Sequence, residues 1–285
     1  MNNKIGIGII TCDRPDYLWN LIESLHVNEL EKYNISELIV IDDGEEPLSD
    51  NTKYDFSNIK IIRHTPGRQG VGKTKNDAME YLLKQDCEHI FIIEDDVRIK
   101  NLDVFNQYIQ AAKASGISHF NYGPGTPFNR VQTQVGDVHN RHLLEQNSKP
   151  NPRLIVDYKD VKIALYQHIA GTFSYFHDRV LKKVGLIDEQ FYNAWDHVEH
   201  TYRILKAGYH PPFWWFADLA NSDDLLEIQS AALEQSSIAK SDEWYKNLYE
   251  GREKYKKLHG WYPNETPSVP QTSVVQILKA LKKVK

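Results

Sequence analysis

The stretch His89-Ile-Phe-Ile-Ile-Glu-Asp-Asp-Val97 decides the fold. Five residues that read as a buried strand deliver three adjacent carboxylates, Glu94, Asp95 and Asp96, to its carboxyl end. A buried strand cannot keep three charges in its apolar part, because burying an unpaired carboxylate is very costly. The acids therefore emerge where a cation or water meets them. Hard oxygen ligands in a short acidic cluster suit Mg²⁺ or Mn²⁺, commonly shared with a phosphate. Working outward, Glu37 to Ile41 repeats the layout and ends in Asp42-Asp43-Gly44. In an open α/β sheet, ligands bind outside the carboxyl ends of the strands. Two such ends predict one pocket for a metal and a phosphorylated ligand. The bland alternative is a pair of solvated turns, since Asp and Gly are common turn formers.

Around these strands the chain alternates. Ile5 to Ile10 reads as a buried strand, and Pro15 opens a helix with Leu18, Leu21, Ile22 and Leu25 on one face. Strand 37–41, a strand near 59–63, helix 74–84, strand 90–94 and a helix near 102–114 follow. This βαβαβ rhythm predicts a doubly wound, mostly parallel sheet. The segment 121–127 is turn-rich, and 129–153 is polar with little periodicity, so 121–153 is expected to act as a lid. Order returns with strand 161–165, helix 178–184 and a loop running into a helix ended by Gly208. Phe213-Trp-Trp-Phe216 reads as strand-like core.

Gly67-Arg-Gln-Gly-Val-Gly-Lys-Thr74 matches the P-loop pattern in full, with Lys73 and Thr74 placed for phosphate and Mg²⁺. A P-loop nucleotide-triphosphatase is therefore one alternative function. Context weighs against it: Arg63 to Pro66 separate the strand from Gly67, and two strands with their own acidic ends come earlier.

Taken in order, Thr11-Cys-Asp-Arg-Pro15, Ile39-Val-Ile-Asp-Asp-Gly44, Gly70-Val-Gly-Lys-Thr-Lys-Asn76 and Ile92-Ile-Glu-Asp-Asp-Val97 resemble the motif set of family 2 glycosyltransferases. The segments from Gly171 to Asp188 and from Trp195 to Arg203 extend the likeness, which covers about residues 4–215. The resemblance implies a single GT-A type, Rossmann-like α/β domain over 1–220. A C-terminal helical extension, 221–263, and a linker with a tail helix, 264–285, complete the expected organisation. It also implies an inverting, metal-dependent enzyme that moves a sugar from a UDP-sugar to a hydroxyl of a glycan or lipid-linked acceptor, as in bacterial polysaccharide synthesis. A non-catalytic nucleotide-sugar binding module is the second alternative.

Residue by residue, the resemblance places Thr11, Arg14, Asp42, Asp43, Gly72, Lys75 and Asn76 on the nucleotide. Asp42 and Asp43 would meet uracil and ribose, and Lys75 stands where Arg is usual. Glu94 and Asp95 would join the donor site, with Asp96 on Mn²⁺ or Mg²⁺, where the metal would act as a Lewis acid at the departing UDP. In the catalytic segment the family's Glu-Asp is replaced by Asp196-His197, so the base is Asp196 or His197; the carboxylate is favoured because it also stabilises positive charge developing on the sugar. Asp196 also suits a helix N-cap. Glu199 joins the catalytic set and forms an i, i+4 pair with Arg203. Several relatives supply a late metal-binding His; here Asp218, Asn221 or Asp223 stands in that region. Trp195 is expected to stack on an acceptor sugar.

Composition bounds the rest. A net charge of −5 with scattered Lys and Arg gives no support to a nucleic-acid partner. Two cysteines build neither a disulfide framework nor a zinc site, which suits a reducing, cytoplasmic setting. In the tail, Val274, Ile277, Leu278, Leu281 and Val284 share one helical face beside four lysines. That helix, 273–285, suits peripheral membrane contact, or docking on its own domain or on a second subunit as a homo-oligomer.

Overall fold

The computed structural model describes residues 4–48, 59–132, 148–229, 236, 238 and 241–281. Strand β1 (Ile5–Thr11) leads into α1 (Pro15–Ser24), a 3-10 segment and β2 (Ile35–Asp42). Next come β3 (Lys60–Arg63), α2 (Val71–Lys84), β4 (His89–Glu94), β5 (Val97–Ile99), α3 (Val104–Ser115) and β6 (His119–Asn121). Strands β7 (Arg130–Gln132), β8 (Ser148–Pro150), β9 (Leu154–Tyr158), β10 (Val161–Tyr166) and β11 (Phe173–His177) precede α4 (Asp178–Val184) and α5 (Asp196–Lys206). The chain continues through β12 (Phe216–Leu219), α6 (Ser222–Leu225), β13 (Leu226–Ile228), α7 (Trp244–His259) and α8 (Gln271–Leu281).

Six strands build the central sheet in the order β3-β2-β1-β4-β11-β6. The first four are parallel, and β11 runs against both of its neighbours. The expected α/β class with a mostly parallel sheet is what forms. Its sequence pattern has a direct cause. On β4, Phe91 and Ile93 enter the core on one face with α1 and α3, while Ile90 and Ile92 enter the core on the other with α2 and α4. A strand buried on both faces needs apolar residues at every position, hence the unbroken run. On β1 the alternation is Ile and Gly. Ile5, Ile7 and Ile9 fill the first core, whereas a Cβ on Gly6 or Gly8 would come within 2.7 Å of Leu82 or Ala78 of α2. The glycines let that helix lie directly on the sheet.

Some expectations change. Residues 161–165 form β10, but in a separate antiparallel sheet with β9 and β12. Only Phe216 of the 213–216 run is in a strand; Phe213 and Trp214 form a turn, with Trp214 at φ +70°. Within 129–153, β7 and β8 pair as antiparallel strands, and residues 133–147 of the expected lid lie outside the described residues. The stretch after Pro263 is strapped down rather than free. The indole N–H groups of Trp214 and Trp215 donate to the Thr266 and Val269 carbonyls at 2.9 and 3.0 Å.

The tail helix resolves in favour of self-docking. Val274, Leu278 and Leu281 are buried in the main core, against α3. The apolar face offered for membrane contact is therefore already covered; Val284 and the last three lysines lie outside the described residues. Among the described residues no helix is long and apolar enough to cross a membrane.

Candidate active site

Parallel pairing brings the carboxyl ends of β1, β2 and β4 to one edge. Thr11 is level with Asp42, and Ile10 with Glu94. Outside that edge lies a cleft of about 890 Å³, including its open mouth. Its charged walls are Asp43, Glu94, Asp95, Asp96 and Glu243 against Arg14 and Arg68. Arg68 is already paired with Asp13 at 2.8 Å and Glu45 at 2.9 Å. The cleft is thus a cation-attracting space.

The Asp95-Asp96 turn is tightly held. The Thr11 hydroxyl donates to Asp95 Oδ2 at 2.7 Å, and the Arg14 guanidinium bonds the other Asp95 oxygen and reaches Asp96 Oδ2 at 3.4 Å. Burial pushes both carboxyls above the ordinary carboxylate range, and Arg14 pulls them back. Asp96 Oδ1 is buried and has no hydrogen-bond partner. Beneath the turn, Gln229 donates its backbone N–H to the Asp96 carbonyl at 2.7 Å and its side-chain amide to the Asp95 carbonyl at 2.8 Å. Gln229, 133 residues beyond Asp96, carries no signal in the sequence.

Asp43 is a hub. One oxygen accepts the Gln69 N–H at 2.7 Å and meets His64 Nδ1 at 2.7 Å; the other accepts the Gly70 N–H at 2.9 Å. His64 Nε2 continues to Asp77 at 2.8 Å. Asp42 sits behind, bonded to the Gly44 N–H and Arg63. These bonds fold residues 64–70 over the cleft and start α2 at Gly70, whose φ of +98° only glycine adopts readily. The P-loop reading fails on this geometry. Lys73 pairs with Asp77, and the Thr74 hydroxyl is bonded to the Gly70 carbonyl at 2.8 Å.

Lys75 lies deeper. Its ammonium is buried, 2.8 Å from Glu94 Oε1, 3.1 Å from the Gly171 carbonyl and 3.6 Å from Asp196 Oδ2. Burial alone would lower its pKa, but Glu94 and Asp196 outweigh that and raise it. Burial alone would likewise raise Asp196, but Lys75 and then His197 hold it well below the ordinary carboxylate range. Asp196 opens α5 at its first turn, and its Oδ1 is 3.3 Å from His197 Nδ1.

Of the residues singled out from sequence, Thr11, Arg14, Asp43, Glu94, Asp95 and Asp96 line the cleft together. Lys75, Asp196 and His197 form a second group joined to it through Glu94. The others sit apart. Asn76 clamps residues 187–189 through the Ile187 backbone and Glu189, and Gly72 packs on Ile187. Glu199 is buried, taking Arg203 Nε at 2.8 and 2.9 Å and facing His259 Nε2 at 3.2 Å. The Trp195 indole donates to the Leu248 carbonyl of α7, so it docks a helix. Asp218 accepts from Tyr108, Gly123, Leu219 and Ser222, and Asp223 from Tyr122 and Arg130; neither lines the cleft. Tyr192, Asn193 and Asn247, which do line it, were not anticipated.

Comparison with known proteins agrees with this geometry. The sequence profile of glycosyl transferase family 2 matches residues 7–185, and the chain belongs to that family. It is a glycosyltransferase with the GT-A fold. The uncharacterized glycosyltransferase R363 of Acanthamoeba polyphaga mimivirus is 25% identical over 82% of this chain and 85% of its own. The galactofuranosyltransferase GlfT2 of Mycobacterium tuberculosis is 28% identical over 34% of this chain and 16% of its own. The crystal structure of S. aureus TarS 1-349 superposes over 98% of this chain and 70% of its own, with a TM-score of 0.52 at 14% identity.

Proposed function

We propose that the protein transfers a sugar, with inversion, from a UDP-sugar to a hydroxyl of a glycan acceptor, and that it does so with a divalent cation. The observation that carries this is the acid-walled cleft in which Asp96 keeps one buried carboxylate oxygen unpartnered. A buried acceptor without a donor is costly, and a cation bound there removes that cost. Among the described residues no group of three His, Cys, Asp or Glu is arranged to hold a metal. That suits Mg²⁺ or Mn²⁺, which take one or two carboxylates and complete their shell with substrate phosphate and water. Asp96 would hold the ion, with Glu94 beside it. When bound, it supplies charge neutralisation at the departing diphosphate.

The chain's own groups have separable tasks. The wall of acids repels a bare diphosphate, so the donor enters with its cation. Asp43 and the backbone of residues 67–70 shape the nucleoside end. Asp196 is the base: held ionised, with Oδ2 free of any hydrogen bond, it accepts the acceptor hydroxyl proton. The hydroxyl oxygen bonds to the anomeric carbon as the bond to UDP breaks, and the pair of that bond leaves with UDP. One displacement inverts the centre. S. aureus TarS 1-349, which shares the fold, is known in complex with UDP-GlcNAc.

The test is a thermal-shift panel of UDP, GDP, CMP, ADP and ATP with and without Mn²⁺, since a ligand of the native state raises apparent stability. Stabilisation by UDP that needs Mn²⁺ and disappears in Asp96→Ala is the expected result. Stabilisation by ATP or GDP but not UDP would overturn the reading. Loss of all transfer in Asp196→Asn, with UDP binding intact, separates an enzyme from a binding module.

A further inference from the structure

We propose that Lys75 is a positioning residue for the base rather than a ligand of the nucleotide. The inference rests on the reading of Asp196 as the base.

An ammonium group has three N–H donors and no more. Around Lys75, Glu94 Oε1 at 2.8 Å and the Gly171 carbonyl at 3.1 Å take two of them, and Asp196 Oδ2 stands at 3.6 Å as an ion-pair partner only. The ammonium is thus engaged inside the fold and not in the cleft where a phosphate would lie. The side chain is buried and does not line the donor cleft, although its neighbour Thr74 does. Lys75 instead stands where four elements converge: α2, the end of β4, the entry to β11 and the start of α5. One cation is shared by two carboxylates, so the junction keeps one net negative charge. Glu94 takes the short contact, and Asp196 is held at ion-pair distance beyond a hydrogen bond. The base is thereby fixed and kept ionised, while its Oδ2 stays free to receive a proton.

The backbone is shaped for this contact. A Cβ on Gly171 would lie 2.9 Å from Lys75 Nζ and 3.0 Å from His197 Nδ1. Any side chain there must displace the ammonium or the imidazole. Arginine, a planar fork, is not equivalent to a compact ammonium meeting three separate oxygens. The exchange of the family's Arg for Lys and the presence of glycine at 171 are thus parts of one arrangement.

The experiment compares Lys75→Met, Lys75→Arg and Gly171→Ala with the unaltered protein, using UDP with Mn²⁺ in calorimetry and carbon-13 NMR of the Asp196 carboxyl, assigned through Asp196→Asn. In Lys75→Met, UDP affinity is expected to stay the same while the Asp196 midpoint rises by about one pH unit or more. Lys75→Arg keeps the cation, so the midpoint should stay low, and Gly171→Ala serves if the Met variant does not fold. Gly171→Ala, which leaves every charge in place, is expected to raise the midpoint in the same direction by pushing the ammonium away. Transfer should fall by about 100-fold in Lys75→Met with the donor KM unchanged. A loss of UDP affinity of about tenfold or more in Lys75→Met would show a bond to the nucleotide and overturn the proposal. An unmoved Asp196 midpoint overturns it equally. If the unaltered protein does not bind UDP, the donor assignment fails instead, and the Asp196 titration still decides what Lys75 does.

Discussion

Glu199→Gln separates catalysis from architecture at a position where the sequence suggests the first and the geometry the second. Glu199 is 2% exposed, and its two oxygens share Arg203 Nε at 2.9 and 2.8 Å. Arg203 gives one N–H from each terminal nitrogen to the Val184 and Leu186 carbonyls at 3.1 and 2.8 Å, and His259 of α7 meets Glu199 at 3.2 Å. The pair therefore ties α5 to the 184–186 turn and to α7. Replacing the carboxylate by an amide leaves shape but removes the ionic half of a buried pair, and breaking such pairs costs about 3–5 kcal/mol. Gln keeps one acceptor oxygen, so the loss should lie near the lower end, about 3 kcal/mol. For 285 residues, an unfolding entropy of about 2 cal/mol/K per residue gives about 0.6 kcal/mol/K, and hence a Tm lower by about 5 °C. The assay pairs differential scanning calorimetry with kcat measured far below the transition, where the folded fraction is complete. A fall in Tm with kcat nearly unchanged is expected. An unchanged Tm with kcat lower by about a thousandfold would refute the architectural assignment and restore Glu199 to proton transfer.

Three further outcomes follow from the geometry. Burial lowers His89 and His210 from 6.5 to about 4; the unfolded chain takes up these protons near pH 6.5, the folded one only near 4. The contribution of these two imidazoles to stability is therefore full above pH 6.5 and is lost as pH drops through that window, by about 3 kcal/mol for each histidine. The raised carboxyls of Asp95, Asp96 and Asp218 work in the opposite direction. NMR titration of the two imidazoles in the folded protein checks this, and midpoints near 6.5 would refute it. Gln229→Ala removes the side-chain stitch to the Asp95 carbonyl and leaves the backbone one to Asp96, so the Mn²⁺-dependent gain in Tm with UDP should shrink; a gain equal to that of the unaltered protein would show the turn holds without the side chain. Arg14→Met leaves Asp95 buried without its cation, and a destabilisation of about 3–5 kcal/mol is expected in chemical denaturation.

What the sequence made legible follows one physical line. Strands buried on both faces must be apolar throughout, so 5–10, 37–41 and 90–94 stand out, and charges at their ends must meet a partner or water at an edge. Parallel pairing puts those ends side by side, which is why Asp43 and the 94–96 acids group together as the strand pattern implied, with Thr11 and Arg14 reached only through the family resemblance. The antiparallel insertion of β11 between β4 and β6 had no such marker. Its residues, Phe173 to His177, suit any buried strand, and their partners lie more than 50 positions away. The same holds for Gln229 and for the α7 side of the cleft, where the polar stretch before Trp244 has no period to read.

The second group shows what motif position alone leaves out. Lys75 occupies the place of a nucleotide-facing Arg in a motif that precedes Glu94 by 19 positions and Asp196 by 121. Nothing local says that its ammonium turns inward. The decision is made by two carboxylates that reach it from β4 and α5, and by a glycine at 171 that lets it sit there. A cation is buried only where enough opposite charge converges to repay its desolvation, and that convergence is a property of the folded chain. The departures from the family pattern at 75 and at 196–197 then read as one coupled change: a single ammonium replaces a guanidinium fork, and a carboxylate followed by a histidine replaces a pair of acids. Exchanging Lys75 for Arg, Asp196-His197 for Glu-Asp, and both together tests whether they act as a unit, because independent sites would give additive losses and coupled ones would not.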